Sequence, residues 1–183
     1  MKVICFGDSN TYGYENLSYI GGRYDSDSRW GDLLAKKTGW SVINEGLNGR
    51  VIPRRPIPIP EDMDLLIVML GTNDILQGAS AIVTAKRMET FLSSLRTESK
   101  HILLVAPPPL TFGVWVPDEH LIKESISLSE QYGSLAKRLG ISYVDTSKWN
   151  VSLVFDGVHF SEAGHRTFAD KLSTFLFRNK DFR

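Results

Sequence analysis

The chain has 183 residues, 42% of them hydrophobic and 23% charged. That is the make-up of one globular domain, 1–183, long enough to bury a core without staples. Twenty-one basic residues balance twenty-one acidic ones, which excludes the electrostatic footprint of a general nucleic-acid binder. No run approaches the roughly 20 apolar residues of a membrane span, and a lone cysteine, Cys5, cannot form an internal disulfide. The chain reads as cytoplasmic, with neither nucleic acid nor membrane as a partner.

Short apolar, β-branched runs alternate with longer amphipathic stretches. Lys2–Phe6 reads as the first strand. Trp30–Lys37 reads as a helix closed by Gly39, and Ser41–Asn44 as a short strand. Leu65–Leu70, "LLIVML", is continuously apolar, as a strand buried on both faces must be. Ala79–Leu95 has helical spacing. His101–Ala106 is another buried strand, Leu121–Leu139 a helix closed by Gly140, and Ile141–Asp145 a fifth strand. Ser161 is placed to cap a last helix running to about Phe177. The alternation predicts an α/β fold: a parallel sheet with helices on both faces.

Two segments break the pattern. Asn48–Asp64 carries four prolines, three of them alternating, so it cannot be a crossover helix and should run extended and polyproline-like. Pro107–His120 holds three consecutive prolines followed by Phe112, Trp115 and Val116. These apolar side chains form a pocket wall, a subunit contact of a homo-oligomer, or a cover for the core.

Open parallel sheets bind ligands beyond the carboxyl ends of their strands. A glycine-containing polar cluster follows four of the strands. These are Gly7-Asp8-Ser9-Asn10, the stretch from Asn44 to Arg50, Gly71-Thr72-Asn73-Asp74, and Asp156-Gly157-Val158-His159. Each alone is ordinary turn chemistry. Together on one rim they supply the parts of acyl transfer. A serine hydroxyl needs a base to take its proton, and the base needs an orienting acid. Ser9 supplies the hydroxyl and a backbone N–H free at the strand end. Asp156 and His159 are three residues apart, within one turn. The Gly49 N–H and the Asn73 side-chain amide are further donors for an oxyanion.

"FGDSNTYG", "NEGLNGR", "LGTND" and "DGVHFSEAGH" resemble the four sequence blocks of the GDSL/SGNH hydrolases, in order and across nearly the whole chain. Together they most resemble the small arylesterase-like and acyltransferase-like branch. The resemblance implies a three-layer αβα sandwich with a central five-stranded parallel sheet, flavodoxin-like in order. It implies Ser9 as nucleophile, His159 as base, Asp156 as its orienting acid, and Ser9, Gly49 and Asn73 as the oxyanion hole. The implied activity is hydrolysis of short-chain, chiefly acetyl, esters of small molecules, with acyl transfer to an alcohol also within that branch. The chain departs from it where the proline segment replaces a longer insertion.

Competing readings fail on residues. No lysine follows Gly13 as a P-loop requires, and no G-x-G-x-x-G follows the first strand. Thr11 replaces the last glycine of the G-x-S-x-G elbow. No cysteine cluster or H-E-x-x-H points to metal, so neither metal nor cofactor is expected. His101, His120 and His165 read as structural or solvent-facing. Asp8 reads as a brace for the turn beside Ser9 and Asp74 as a helix cap. Arg23, Arg29, Arg50 and Trp30 either line the rim or serve packing and solvation. The rival function from another class is a binding module for acylated carbohydrates, which would have no need of a full triad.

Overall fold

The structure is a computed structural model and describes residues 1–16, 22–60, 62–179 and residue 182. In chain order the elements are β1 (Lys2–Gly7), α1 (Ser9–Tyr12), β2 (Tyr14–Glu15), β3 (Gly22–Arg23), α2 (Trp30–Thr38), β4 (Ser41–Gly46), β5 (Leu65–Met69), α3 (Thr72–Leu76), α4 (Ala81–Ser93), β6 (Ile102–Val105), α5 (Glu119–Leu139), β7 (Ser142–Val144) and α6 (Glu162–Arg178). A 3-10 turn, Ser99–His101, leads into β6. β1, β4, β5, β6 and β7 form one parallel sheet in the order β4-β1-β5-β6-β7. β2 and β3 pair as a small antiparallel ribbon beside it.

Period-two alternation along the strands sorts the core into two layers. Ile4, Phe6, Leu66, Val68 and Leu104 face one side, where Met88 and Phe91 of α4 and Leu128, Tyr132 and Leu135 of α5 cover them. Val3, Cys5, Leu65, Ile67, Met69, Leu103 and Val105 face the other, under Trp30 and Leu34 of α2 and Phe168, Leu172 and Leu176 of α6. The result is helices, sheet, helices, as expected. Among the described residues no helix is long and apolar enough to cross a membrane.

The proline segment has no helix or strand from Val51 to Pro60. Ile52 is fully buried, and Ile57 and Ile59 pack on the α4–α5 side of the core while Pro56, Pro58 and Pro60 face out. An extended chain alternates its side chains, so a Pro-Ile repeat can cover a sheet face without forming a helix.

The strand order sets the site. The chain leaves β1 towards the β4 edge, then returns past β1 to build β5, β6 and β7. The connections from β1 and from β5 therefore leave in opposite directions and open a crevice at their carboxyl ends.

One buried histidine has a consequence for stability. His165 on α6 is fully buried, with its ring edge-on to Tyr24 and Phe160. Its Nδ1 accepts the Trp30 N–H at 3.4 Å, which leaves the ring proton on Nε2. Burial, reinforced by the charge of Arg29 and by His159, pushes its pKa from 6.5 down to about 3. Between those values the unfolded chain takes up a proton that the folded chain refuses. Stability is therefore lost as pH falls from about 6.5 towards 3, on the order of a few kcal/mol in all. The melting temperature should fall more steeply over that window in the wild type than in His165→Phe, which keeps the ring contacts and cannot titrate. Parallel slopes for the two proteins would refute the assignment.

Candidate active site

Gly7 ends β1 and Asp8 caps the short α1, its carboxylate accepting the Asn10 N–H at 3.0 Å. Burial pushes the Asp8 carboxyl up to about 6, against the pull of the Asn10 N–H, the Thr72 hydroxyl, its own N–H and the Arg50 charge. Ser9 is the first helical residue, a position whose N–H has no carbonyl of its own helix to bond. The chain then closes at Gly13 and enters the β2–β3 ribbon.

His159 and Asp156 come from the loop before α6. The Ser9 hydroxyl lies 3.0 Å from His159 Nε2. His159 Nδ1 donates to Asp156 Oδ2 at 2.7 Å. The other carboxylate oxygen, Oδ1, accepts the N–H groups of Val158 at 2.8 Å and His159 at 3.0 Å. Asn16 Nδ2 donates to Oδ2 as well. Asp156 and His159 are buried, and Ser9 is only 5% exposed. Burial pushes the Asp156 carboxyl up, but the hydrogen bonds from the His159 ring and backbone and from Val158, with the His159 charge, hold it below the ordinary carboxylate range. The tautomer is thus fixed: Nδ1 carries the proton, and Nε2 is free to accept one from Ser9.

Gly49 and Asn73 reach the same point from β4 and β5. Gly49 adopts φ +72°, where a side chain is strained, and a Cβ there would meet no other atom within 4 Å. Its N–H has no hydrogen-bond partner among the described residues. Gly71 turns the chain from β5 into α3 with φ +122°, and a Cβ would sit 2.8 Å from both Leu128 and Tyr132. Asn73 follows, and one proton of its amide goes to the Arg50 carbonyl at 3.1 Å. That bond aims the side chain and leaves the second amide proton for a ligand.

Ser9, Tyr14, Asn48, Gly49, Asn73, Trp115 and His159 line a cavity of about 260 Å³. Tyr14 and Trp115 both pack on the His159 ring, with centroids 4.7 and 5.1 Å away. A larger hollow of about 770 Å³ lies near Met1, Asp64, His101, Ile141 and Ser142, but the His101 ring bonds the Asp64 carbonyl and no hydrogen bond joins it to a serine among the described residues. Chemistry and not size therefore picks the smaller cavity.

Four of the five residues expected in the site, Ser9, Gly49, Asn73 and His159, line that cavity, and the fifth, Asp156, bonds the His159 ring; the apolar loop divides its roles. Trp115 walls the cavity, Val116 is buried in the core, and Phe112 is 67% exposed. The undecided basic residues turn away from the cavity. Arg23 donates to the Tyr12 carbonyl, Arg29 pairs with Asp32, and Arg50 stacks on Phe6 while donating to the Gly7 carbonyl. Trp30 is core, its indole N–H donating to the Asn10 carbonyl. Asp74 is not a cap, contrary to expectation. It lies inside α3, nearly fully buried, and its carboxylate accepts the Ile52 N–H at 2.9 Å and Arg87 at 2.8 Å. It ties the proline segment to the Asn73 turn.

The model of the GDSL-like lipase/acylhydrolase family matches residues 5–167. The chain belongs to that family. A GDSL lipase of Mycobacterium tuberculosis is 28% identical over 95% of this chain and 80% of its own length. The native aryl esterase of M. smegmatis superposes with a TM-score of 0.80 at 25% identity, covering 97% of this chain and 98% of that one. A carbohydrate acetylesterase family member of Sinorhizobium meliloti gives a TM-score of 0.80 at 26% identity, with 97% of each chain covered. This GDSL-family chain is a carboxylic ester hydrolase. Tyr14 and Asn16 were not singled out by the sequence, and Asn48 only as a member of the Asn44–Arg50 cluster, because no periodicity encodes the direction the chain takes after Gly13 or after β4.

Proposed function

We propose that the chain is a serine esterase that cleaves short-chain, chiefly acetyl, esters of small molecules through an acyl-enzyme on Ser9. The observation that carries this reading is the unbroken relay from Ser9 Oγ to His159 Nε2 and from Nδ1 to Asp156, at 3.0 and 2.7 Å. His159 Nε2 takes the Ser9 proton as Oγ attacks the ester carbonyl. The carbonyl oxygen becomes an oxyanion facing the N–H groups of Ser9 and Gly49 and the free Asn73 amide proton. When the tetrahedral intermediate collapses, the ester C–O bond breaks and the imidazolium gives its proton to the departing alcohol. A water then repeats the cycle and releases the acid. An alcohol in place of that water gives acyl transfer by the same steps. The cavity of about 260 Å³ falls below the usual range for drug-sized ligands, which favours a small acyl group.

The test is turnover of p-nitrophenyl acetate, butyrate and octanoate, with mass-spectrometric detection of a fluorophosphonate adduct on Ser9. Acetate should turn over with the highest kcat/KM. Binding of acylated sugars without turnover of any of the three would sink the reading.

Asn73→Ala should lower kcat by roughly 10²–10³ with little change in KM, because its amide bonds the oxyanion and only weakly the ground-state carbonyl. Were Asn73 merely shaping the turn after β5, the melting temperature would fall and kcat per folded molecule would hold. Both quantities should be read on one preparation.

A further inference from the structure

We infer that Asn10, the residue after the nucleophile, is a positioning residue that latches the His159 loop to the helix carrying Ser9. The inference rests on Ser9 and His159 acting as nucleophile and base. The family name spells Gly-Asp-Ser-Leu, whereas this chain reads Gly7-Asp8-Ser9-Asn10. Leucine and asparagine branch alike and have equal numbers of heavy side-chain atoms, but leucine offers no hydrogen bond. Asn10 uses both ends of its amide, and both go to the neighbours of His159. Its Nδ2 donates to the Val158 carbonyl at 3.1 Å. Its Oδ1 accepts the Phe160 N–H at 2.8 Å. The side chain therefore straddles His159, 149 positions along the chain (159 − 10).

The backbone of Asn10 is itself pinned. Its N–H donates to Asp8 Oδ1 at 3.0 Å, and its carbonyl accepts the Trp30 indole N–H at 3.0 Å. Asn10 is 4% exposed, and Val158 and Phe160 are buried too, so water does not compete for these bonds. On the far side of the loop, the Val154 N–H donates to the His159 carbonyl at 2.8 Å. The contact between Ser9 Oγ and His159 Nε2 thus closes a small ring. It runs through the Ser9–Asn10 peptide, across the Asn10 amide, and back through the backbone and ring of His159. Asp156 sets the rotation of the imidazole, while Asn10 sets its distance from the nucleophile. A displacement of about 1 Å at a reacting pair costs on the order of 10²-fold in rate.

The experiment compares wild type, Asn10→Leu and Asn10→Asp, with Leu172→Ala as a control. Leu172 is a fully buried α6 residue of the core layer opposite α4 and α5, so its truncation lowers stability without touching the cavity. Fluorophosphonate labelling of Ser9 counts the active sites, and kcat, KM and the rate of phosphonylation are then expressed per titrated site below the melting transition. Asn10→Leu should lower kcat and the phosphonylation rate together by roughly 10- to 100-fold, with KM within about threefold. Asn10→Asp keeps the acceptor for Phe160 and loses the donor to Val158, so its kcat should lie between those of wild type and Asn10→Leu. Leu172→Ala should melt lower and keep the wild-type kcat. The latch is overturned if Asn10→Leu and Asn10→Asp melt lower, like Leu172→Ala, while kcat per titrated site stays within about twofold of wild type. Should Asn10→Leu fail to fold, Asn10→Asp decides by the same criterion. Absence of any label on wild-type Ser9 overturns the nucleophile and the latch together, whereas a labelled Ser9 with an unchanged Asn10→Leu overturns the latch alone.

Discussion

Ser9→Ala should fold as the wild type does and lose nearly all ester hydrolysis, by a factor on the order of 10⁶ in kcat if the triad acts as a unit. The fold should survive because, among the described residues, the hydroxyl bonds only the His159 ring. Its backbone position at the start of α1 is held instead by Asp8 and by the Gly13 N–H on the Ser9 carbonyl. The rate should collapse because water in place of Oγ is neither tethered nor aligned on His159 Nε2. What remains is the oxyanion donors acting on a water-mediated attack. Melting temperature and kcat measured on the same preparation check both halves. A variant that keeps more than a tenth of the wild-type rate on several esters removes Ser9 from its role.

Strand ends were the most legible part of this molecule. β1 and β5 are buried on both faces, so each is written as an apolar run whose end is marked by the first glycine, Gly7 and Gly71, whereas β6, buried likewise, runs out into three prolines. That is why Ser9 and Asn73 could be placed on one rim from sequence alone. His159 and Asp156 were legible for another reason, since a spacing of three residues brings them together locally. The proline segment was rightly denied a crossover helix, and Val51–Pro60 forms none, because proline rules out the helix whatever the surroundings. The turns were less legible. Asp74 was expected as a cap from its position after a glycine turn. The structure instead spends its carboxylate on Ile52 and Arg87, both distant in sequence. Trp115, Val116 and Phe112 are near neighbours in one loop and end as cavity wall, core and exposed surface. Nothing in the composition of that loop separates them, because the division depends on hydrogen bonds from Val114 and Trp115 to the Phe155 and Asp156 carbonyls. Asn10 and Asn16 illustrate the same limit. Both contact the Asp156–His159 loop at the far end of the chain, and an asparagine in a turn looks the same with or without such a partner.

Asp156→Asn should lower kcat by up to about 10⁴ while leaving the loop folded. The substitution separates the two oxygens of the carboxylate. Oδ1 accepts the N–H groups of Val158 and His159, and an asparagine oxygen in that place can go on accepting both. The turn is therefore kept, and the melting temperature should move little. The amide NH₂ must then occupy the place of Oδ2, facing His159 Nδ1 and the Asn16 amide. Two donors cannot bond each other, so the Asn16 amide turns its oxygen to the introduced NH₂, the imidazole shifts its proton from Nδ1 to Nε2, and Nδ1 accepts a hydrogen bond from that NH₂ instead. That tautomer presents an N–H to Ser9 and has no lone pair to receive the hydroxyl proton. Rotating the new amide by half a turn would restore an acceptor for Nδ1, but it would aim the NH₂ at two backbone N–H groups in a buried site. The loss of rate follows from tautomer and charge alone, since in the wild type the carboxyl is held below its ordinary range and stays ionised near neutral pH. If Asp156 served only the turn, Oδ1 would be its sole working atom. The asparagine variant would then hydrolyse p-nitrophenyl acetate within a factor of ten of wild type, an outcome that leaves His159 without its orienting acid.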